Sequence, residues 1–144
     1  MKPLQKTIAL LFLSLFLSAC TLQESQTAIE IRCADFYENP HITNSVEVEL
    51  GDEFTVSLCS NPSTGFQWIE MADISDPGVL EQVSHEYGGP SENGAPPPPG
   101  TPGIQIWRFK TLKEGTSILS FEYSRDWEGG EKGTWTFVLE VNVK

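Results

Sequence analysis

The sequence is poor in the residues that carry most enzyme chemistry. Its 144 residues include two histidines, His41 and His85, and three cysteines. The sequence has no Cys-x-x-Cys or His-x-x-x-His spacing, which argues against a metal site. General acid–base and nucleophilic catalysis need a poised base, and neither histidine sits in a recognisable nucleophile context. We therefore expect a protein that is not an enzyme and has no catalytic residue, metal or cofactor.

Long apolar runs are also scarce, and the clearest one lies at the N-terminus. Lys2 and Lys6 precede residues 8–17, which are apolar apart from one serine, and Leu17-Ser18-Ala19-Cys20 follows. This length predicts an export signal rather than a membrane-spanning helix. The motif Leu17-Ser18-Ala19-Cys20 resembles a bacterial lipobox. This resemblance implies cleavage after residue 19 and lipidation of Cys20. The alternative is an ordinary signal peptide with an incidental cysteine.

Basic residues are few, with nine lysines and arginines against 20 acidic residues. Removal of residues 1–19 takes away two lysines and no acid, which leaves seven basic residues and a formal net charge of −13. Nucleic acid and anionic headgroups are poor partners for such a surface.

We interpret residues 20–30 as the lipidated cysteine and a tether, and residues 31–144 as one domain. We expect a monomer in the cell envelope, anchored by Cys20 to the periplasmic or surface face of a bacterial membrane.

Two cysteines remain after Cys20 is assigned to the lipid. Cys33 and Cys59 would reside in an oxidising compartment, which favours one disulfide between them. The alternative is two buried free thiols.

The domain shows the period-2 alternation of β-strands and almost no helical pattern. Strands are predicted at residues 46–50, 54–58, 66–69, 79–87, 104–109, 118–123 and 134–143. A Gly-Asp turn suggests that the first two form a hairpin, and residues 113–116 turn the fifth into the sixth. Short strands with turns between them predict an antiparallel β-sandwich. We place Trp68, Trp107 and Trp135 in its core.

Three connections stand out by composition. Residues 60–65 form a compact Pro/Gly turn. Residues 88–103 are rich in glycine and proline around Pro96–Pro99, so this loop is either a variable surface insertion or a stiff polyproline II contact loop. Residues 125–133 are rich in glycine and charge around Trp127. By pattern alone, Trp127 is either a core residue at a strand end or an exposed interface anchor.

Three motifs carry a resemblance to a known family. Asn61-Pro62-Ser63-Thr64-Gly65-Phe66 resembles the Asn-Pro-Thr-Thr-Gly-Tyr/Phe signature of chagasin-type inhibitors (family I42) of papain-like cysteine peptidases. Arg125-Asp126-Trp127 resembles that family's Arg-Pro-Trp loop. Gly100-Thr101-Pro102-Gly103 lies where the family has its Gly-x-Gly-Gly loop. The resemblance covers about residues 43–143, and the three motifs occur in the family's order.

The resemblance implies an all-β, immunoglobulin-like sandwich with three binding loops at one end. It implies reversible, non-covalent inhibition, in which the first loop occludes the peptidase cleft and the other two grip its walls. The implied peptidase-binding residues are Asn61, Pro62, Ser63, Thr64, Gly65, Phe66, Gly100, Thr101, Pro102, Gly103, Arg125, Asp126 and Trp127. Ser63, Asp126 and Pro102 depart from the family pattern. The alternative function is an envelope-anchored adhesion or carbohydrate-binding sandwich that uses Trp127 for stacking.

Overall fold

The computed structural model describes residues 26–89 and 98–144, so the predicted export signal and Cys20 lie outside the described residues. In chain order its elements are β1 (Thr27–Ile31), α1 (Cys33–Glu38), β2 (His41–Val48), β3 (Glu53–Ser60), β4 (Gln67–Trp68), β5 (Asp73–Ile74), β6 (Leu80–Gly88), β7 (Gly103–Thr111), β8 (Gly115–Ser124) and β9 (Trp135–Val143).

The strands form two sheets. The first has the order β1-β3-β7-β6, and the second has the order β2-β9-β8-β4, with β5 also paired to β8. Apolar faces of the two sheets enclose one hydrophobic core, which confirms the predicted β-sandwich. Two pairings are parallel rather than antiparallel: β1 with β3, and β2 with β9.

The predicted hairpin of residues 46–50 and 54–58 is wrong, because these two strands belong to different sheets. β2 pairs with β9 whereas β3 pairs with β1 and β7. Likewise β7 belongs to the first sheet and β8 to the second. Alternation identifies the buried face of a strand but not its neighbour. A short turn can therefore carry the chain across the sandwich as readily as it closes a hairpin.

The folded part begins earlier than predicted, so residues 27–30 are not tether. Thr27 pairs with Phe54 and Ile31 with Leu58, and Ile29 and Ile31 pack on the core. The six-residue helix α1 was not predicted. It buries Phe36, which is 1% exposed, beneath it. No helix in the described ranges has the length and hydropathy needed to cross a membrane.

The core is aromatic and aliphatic. Its largest fully buried side chains are Trp107, Phe36, Phe54, Phe109, Phe121, Phe137, Leu58, Leu80, Leu119, Leu139, Val56 and Val141. Trp68 and Trp107 are buried as predicted, and their indole N–H groups donate to the carbonyl oxygens of Cys59 and Glu70 at 2.8 and 3.0 Å. Trp135 is half-buried and packs against the core. These bonds satisfy the two buried indoles, as burial of a tryptophan requires.

Cys33 and Cys59 form a disulfide, with their Cα atoms 5.1 Å apart. The bond joins the start of α1 to β3. Since Asn61 follows Cys59 by two residues, the crosslink lies close to the first of the three connections singled out above.

The strand directions define two ends of the sandwich. β3 and β8 finish at one end, where β7 and β9 begin, and we call it the loop end. β1 runs parallel to β3, so Thr27 lies at the opposite end. β9 also finishes at that opposite end, at Val143.

Candidate functional site

Three loops emerge together at the loop end. Loop 1 (residues 61–66) joins β3 to β4, loop 2 precedes β7, and loop 3 (residues 125–134) joins β8 to β9. The described part of loop 2 is residues 98–102, and residues 90–97, including Pro96 and Pro97, lie outside the described residues. The polyproline II prediction for that run is therefore not tested.

Loop 1 is a single turn of 3-10 helix closed by its own polar groups. The amide N–H groups of Thr64 and Gly65 donate to the carbonyls of Asn61 and Pro62, at 3.1 and 2.9 Å. The Thr64 hydroxyl also donates to the Asn61 carbonyl at 2.7 Å, and the Ser63 hydroxyl to Asn61 Oδ1 at 2.6 Å. Gly65 then takes a left-handed conformation with φ of 80°, which suits glycine. The turn is thus ordered without any partner.

Loop 1 is also fastened to its neighbours. The backbone N–H of Asn61 donates to the hydroxyl of Tyr123, a buried residue of β8, at 2.8 Å. The Asn61 side-chain amide donates to the carbonyl of Gly100 in loop 2 at 2.9 Å. Asn61 therefore ties loop 1 to the second sheet and to loop 2, while Pro62, Ser63 and Thr64 stay exposed.

Loop 2 divides into an exposed turn and a buried glycine. Thr101 closes the turn, because its N–H and hydroxyl both reach the Pro98 carbonyl, at 3.1 and 2.7 Å. Gly103 is buried at the first position of β7, and a Cβ there would lie 2.5 Å from the Gly88 carbonyl and 2.6 Å from the Tyr87 hydroxyl. The predicted peptidase contact at Gly103 does not fit this burial. Gly103 instead allows the close approach of β6.

Loop 3 presents Trp127, which is 54% exposed and therefore not a core residue. Its indole lies on Gly65 of loop 1, where a Cβ atom on residue 65 would be 2.7 Å from Trp127 Cη2. Asp126 is exposed beside it. Of the two interpretations left open by the sequence, the core one is wrong.

Arg125 lies behind Trp127 and acts as a brace. Its guanidinium carbon is 4.3 Å from the centre of the Phe66 ring and 5.5 Å from that of Trp127, within the range of cation–π attraction. One guanidinium nitrogen donates to the Thr64 carbonyl at 3.3 Å. Phe66 in turn stacks on Tyr123, with ring centres 5.4 Å apart. Arg125 and Phe66 thus support loops 1 and 3 from within the cluster.

Lys132 was not predicted as a site residue, yet it holds loop 3 in shape. Its ammonium group donates to the Arg125 carbonyl at 2.6 Å and lies 4.0 Å from the Asp126 carboxylate. The loop is closed further by the N–H of Arg125, which donates to the Glu131 carbonyl at 2.8 Å. A Cβ at Gly130 would lie 2.5 Å from the Arg125 carbonyl oxygen. The Gly129-Gly130 pair indicates a tight loop from the sequence alone. Nothing in the sequence around Lys132 indicates its contact with the Arg125 carbonyl.

The arrangement offers a surface for binding. Within residues 26–89 and 98–144, the histidines, cysteines and carboxylates form no cluster of three that could hold a metal. The exposed features are instead the loop 1 turn, the loop 2 turn and Trp127, which hydrogen bonds and ring contacts join into one surface.

Known proteins resemble this chain in sequence and fold. Amoebiasin-2 of Entamoeba histolytica is 29% identical over 121 residues, which cover 78% of this chain and 92% of that protein. The crystal structure of the cysteine protease inhibitor EhICP2 from Entamoeba histolytica matches with a TM-score of 0.60 and 21% identity, over 83% of this chain and 98% of that one. PbICP-C, solved in complex with falcipain-2, matches with a TM-score of 0.57 and 15% identity, over 81% of this chain and 99% of that one.

The sequence comparison with protein families gives the assignment. Residues 47–141 match the family described as Chagasin family peptidase inhibitor I42, and this segment contains all three loops. The family consists of peptidase inhibitors, which confirms the prediction that the protein is not an enzyme. With two thirds of its length matched by the family and a fold like those of EhICP2 and PbICP-C, the chain belongs to the chagasin family of peptidase inhibitors.

Proposed function

We propose that this protein is a reversible, non-covalent inhibitor of papain-like cysteine peptidases that occludes the active-site cleft with loop 1. Family membership supports the class of function, and the falcipain-2 complex of PbICP-C supports the class of target. The observation that carries the proposal is the convergence of the three loops into one braced surface, with the exposed loop 1 turn beside Trp127.

Occlusion without cleavage follows from the shape of loop 1. Residues 62–64 form a 3-10 turn with three hydrogen bonds that end on Asn61. A turn of this kind does not offer an extended backbone to the catalytic cysteine. Because the turn is already ordered, its binding costs little conformational entropy. Loop 1 therefore fills the cleft as a stable plug.

The flanking loops have different roles in this proposal. Trp127 and Asp126 contact one wall of the cleft, and the exposed turn around Gly100, Thr101 and Pro102 contacts the other. A large aromatic anchor with rigid backing is typical of interface hot spots. Arg125, Phe66 and Gly103 act from behind these contacts.

We also propose that the protein acts as an exported monomer held to a bacterial membrane by lipid on Cys20. The support is the Leu17–Cys20 motif behind a short apolar run. Several acyl chains give a stable anchor, since each buried CH₂ contributes about 0.8 kcal/mol.

An inhibition assay with papain tests the proposal. The mature protein is expected to slow substrate hydrolysis, to release papain on dilution, and to stay uncleaved on electrophoresis. Absence of inhibition by folded protein at micromolar concentration would overturn the inhibitor proposal. A glycan-binding screen on the same preparation would then test the alternative of a carbohydrate-binding module that uses Trp127.

A further inference from the structure

We propose that α1 is a fourth contact element at the loop end, and that Tyr37 packs against the wall of the bound peptidase beside loop 3. This rests on the proposed inhibitory function. It adds a contact from a segment that precedes the family match, which begins at residue 47.

The helix α1 lies at the loop end of the sandwich. Cys33 at its start is bonded to Cys59, which lies two residues before loop 1. After its end, β2 begins at His41, which pairs with Thr136 near the start of β9. α1 therefore crosses from one sheet to the other at the loop end, next to the bases of loops 1 and 3.

Tyr37 of α1 is strongly exposed to solvent. Tyr37 is 74% exposed, the highest value among the large hydrophobic side chains of the described residues. The neighbouring Phe36 fills the core below it. Tyr37 touches the half-buried Trp135 edge-on, with ring centres 5.5 Å apart and planes at 81°. An exposed aromatic side chain is common by itself, and what distinguishes Tyr37 is its location at the loop end beside Trp135.

Aromatic contacts join Tyr37 to the loops. Trp135 stacks on Tyr123 with ring centres 4.9 Å apart, and Tyr123 stacks on Phe66. Arg125 covers the Phe66 ring. Tyr37 and loop 3 are thus joined through one continuous series of side-chain contacts at the loop end.

The helix is held firmly enough to serve as a binding element. Arg32 and Asp35 close its first turn: the Arg32 backbone N–H donates to the Asp35 carboxylate at 2.8 Å, and the guanidinium donates to it at 3.1 Å. These hydrogen bonds from Arg32 hold the pKa of Asp35 below its usual range. With the disulfide and Phe36, they leave Tyr37 little freedom to lose on binding.

The surroundings of Tyr37 indicate the chemistry of the wall that it fits. The charge of Arg32 is paired with Asp35, whereas Glu38 forms no ion pair within the described ranges. Tyr37 therefore offers an exposed aromatic ring next to the acidic side chain of Glu38. It fits a peptidase wall with an apolar patch next to basic side chains.

Tyr37→Ala in the mature protein tests the proposal, with Leu50→Ala as the matched control. Leu50 is 48% exposed and follows β2 at the opposite end of the sandwich. Tyr37→Ala is expected to raise the inhibition constant for papain by about tenfold, as truncation of an interfacial aromatic typically does. Leu50→Ala is expected to leave it unchanged, and both variants to keep a Tm close to that of the wild type.

Amide hydrogen exchange provides a second measurement that needs no variant. Addition of papain with a blocked catalytic cysteine is expected to slow exchange at residues 33–38 as well as in the three loops. If the wild type inhibits papain but Tyr37→Ala binds equally well and residues 33–38 gain no protection, the α1 contact is overturned while the inhibitory function stands. If Tyr37→Ala does not fold, the exchange result decides. If the wild type does not inhibit papain, both proposals fail.

Discussion

The indole ring of Trp127 covers Gly65, so that a Cβ atom on residue 65 would lie 2.7 Å from Trp127 Cη2. The two residues belong to different loops, 62 positions apart in the chain. Their contact makes the shape of loop 1 depend on the placement of loop 3. A change at either residue should therefore alter both loops.

Gly65→Ala tests this dependence, and Gly51→Ala is its matched control. Both glycines have positive φ, 80° and 94°, but a Cβ at Gly51 meets nothing within 4 Å. Each substitution should cost about 1–2 kcal/mol of backbone strain. Only Gly65→Ala should displace Trp127, so it should weaken inhibition of papain strongly whereas Gly51→Ala should not. Equal inhibition constants for the two variants, measured with their Tm values, would contradict the contact.

Trp127→Ala separates binding from folding. Loss of a buried interfacial tryptophan typically costs about 2–4 kcal/mol of binding free energy, which corresponds to a roughly thirty- to thousandfold higher inhibition constant. Because Trp127 is 54% exposed in the free protein, the Tm should change little. Ile118→Ala, at a residue 40% exposed on β8, controls for removal of surface apolar area. A variant that unfolds would show that the indole stabilises the domain rather than the complex.

Lys132→Met should loosen loop 3 without large loss of stability. The substitution removes the hydrogen bond to the Arg125 carbonyl and the ion pair with Asp126, while the methionine keeps most of the side-chain volume. We expect a several-fold faster dissociation from papain, because exposed contacts of this kind contribute about 1 kcal/mol. The control is Lys144→Met, which removes the ion pair with Glu47 at the opposite end. Identical dissociation rates for the two variants would assign Lys132 no role in binding.

The disulfide between Cys33 and Cys59 should contribute to the stability of the folded domain. The cysteines are 26 positions apart, and closure of such a loop stabilises by about 3–4 kcal/mol on the chain-entropy model. The double variant Cys33→Ser/Cys59→Ser should therefore unfold at a lower denaturant concentration. Intact-mass measurement after alkylation without reductant checks the bond itself. Two alkyl groups on these cysteines in the wild type would exclude it.

Cys20→Ser tests the proposed membrane anchor. The variant should leave the membrane fraction or remain unprocessed, because the proposed lipobox makes Cys20 both the cleavage point and the lipid attachment site. Fractionation and electrophoretic mobility report on the two outcomes. A variant that fractionates and migrates like the wild type would rule out lipid on Cys20.

Alternating residues predicted the sandwich well, because burial of one face has a direct signature in sequence. In β9, Phe137, Leu139 and Val141 are all fully buried as expected. The identity of the neighbouring strand has no such signature, so β2 and β3 were predicted to form a hairpin although they belong to different sheets. The helix α1 was missed because six residues span less than two turns, too few for a periodic pattern.

Those parts of the candidate site whose backbone conformation is set by their own residues could be predicted from the sequence. The Pro62 and Gly65 turn follows from the conformational preferences of those residues, and the structure has it. The bonds from Asn61 to Gly100 and from Lys132 to Arg125 depend on how the loops pack at the loop end. No single-residue preference encodes them. The exposure of Trp127 likewise follows from the path of loop 3 and not from its neighbours in sequence.

The parallel pairing of β1 with β3 places the start of the domain at the end of the sandwich opposite the three loops. Thr27 begins β1 and Val143 ends β9 at the end opposite the loops. Anything joined to the chain before Thr27 therefore leaves from the rear of the sandwich. A lipid on Cys20 would hold the rear towards the membrane and turn the loops outward into the surrounding compartment. Such an orientation suits the capture of freely diffusing peptidases, and immobilisation through the N-terminus would leave the loops accessible on a sensor surface.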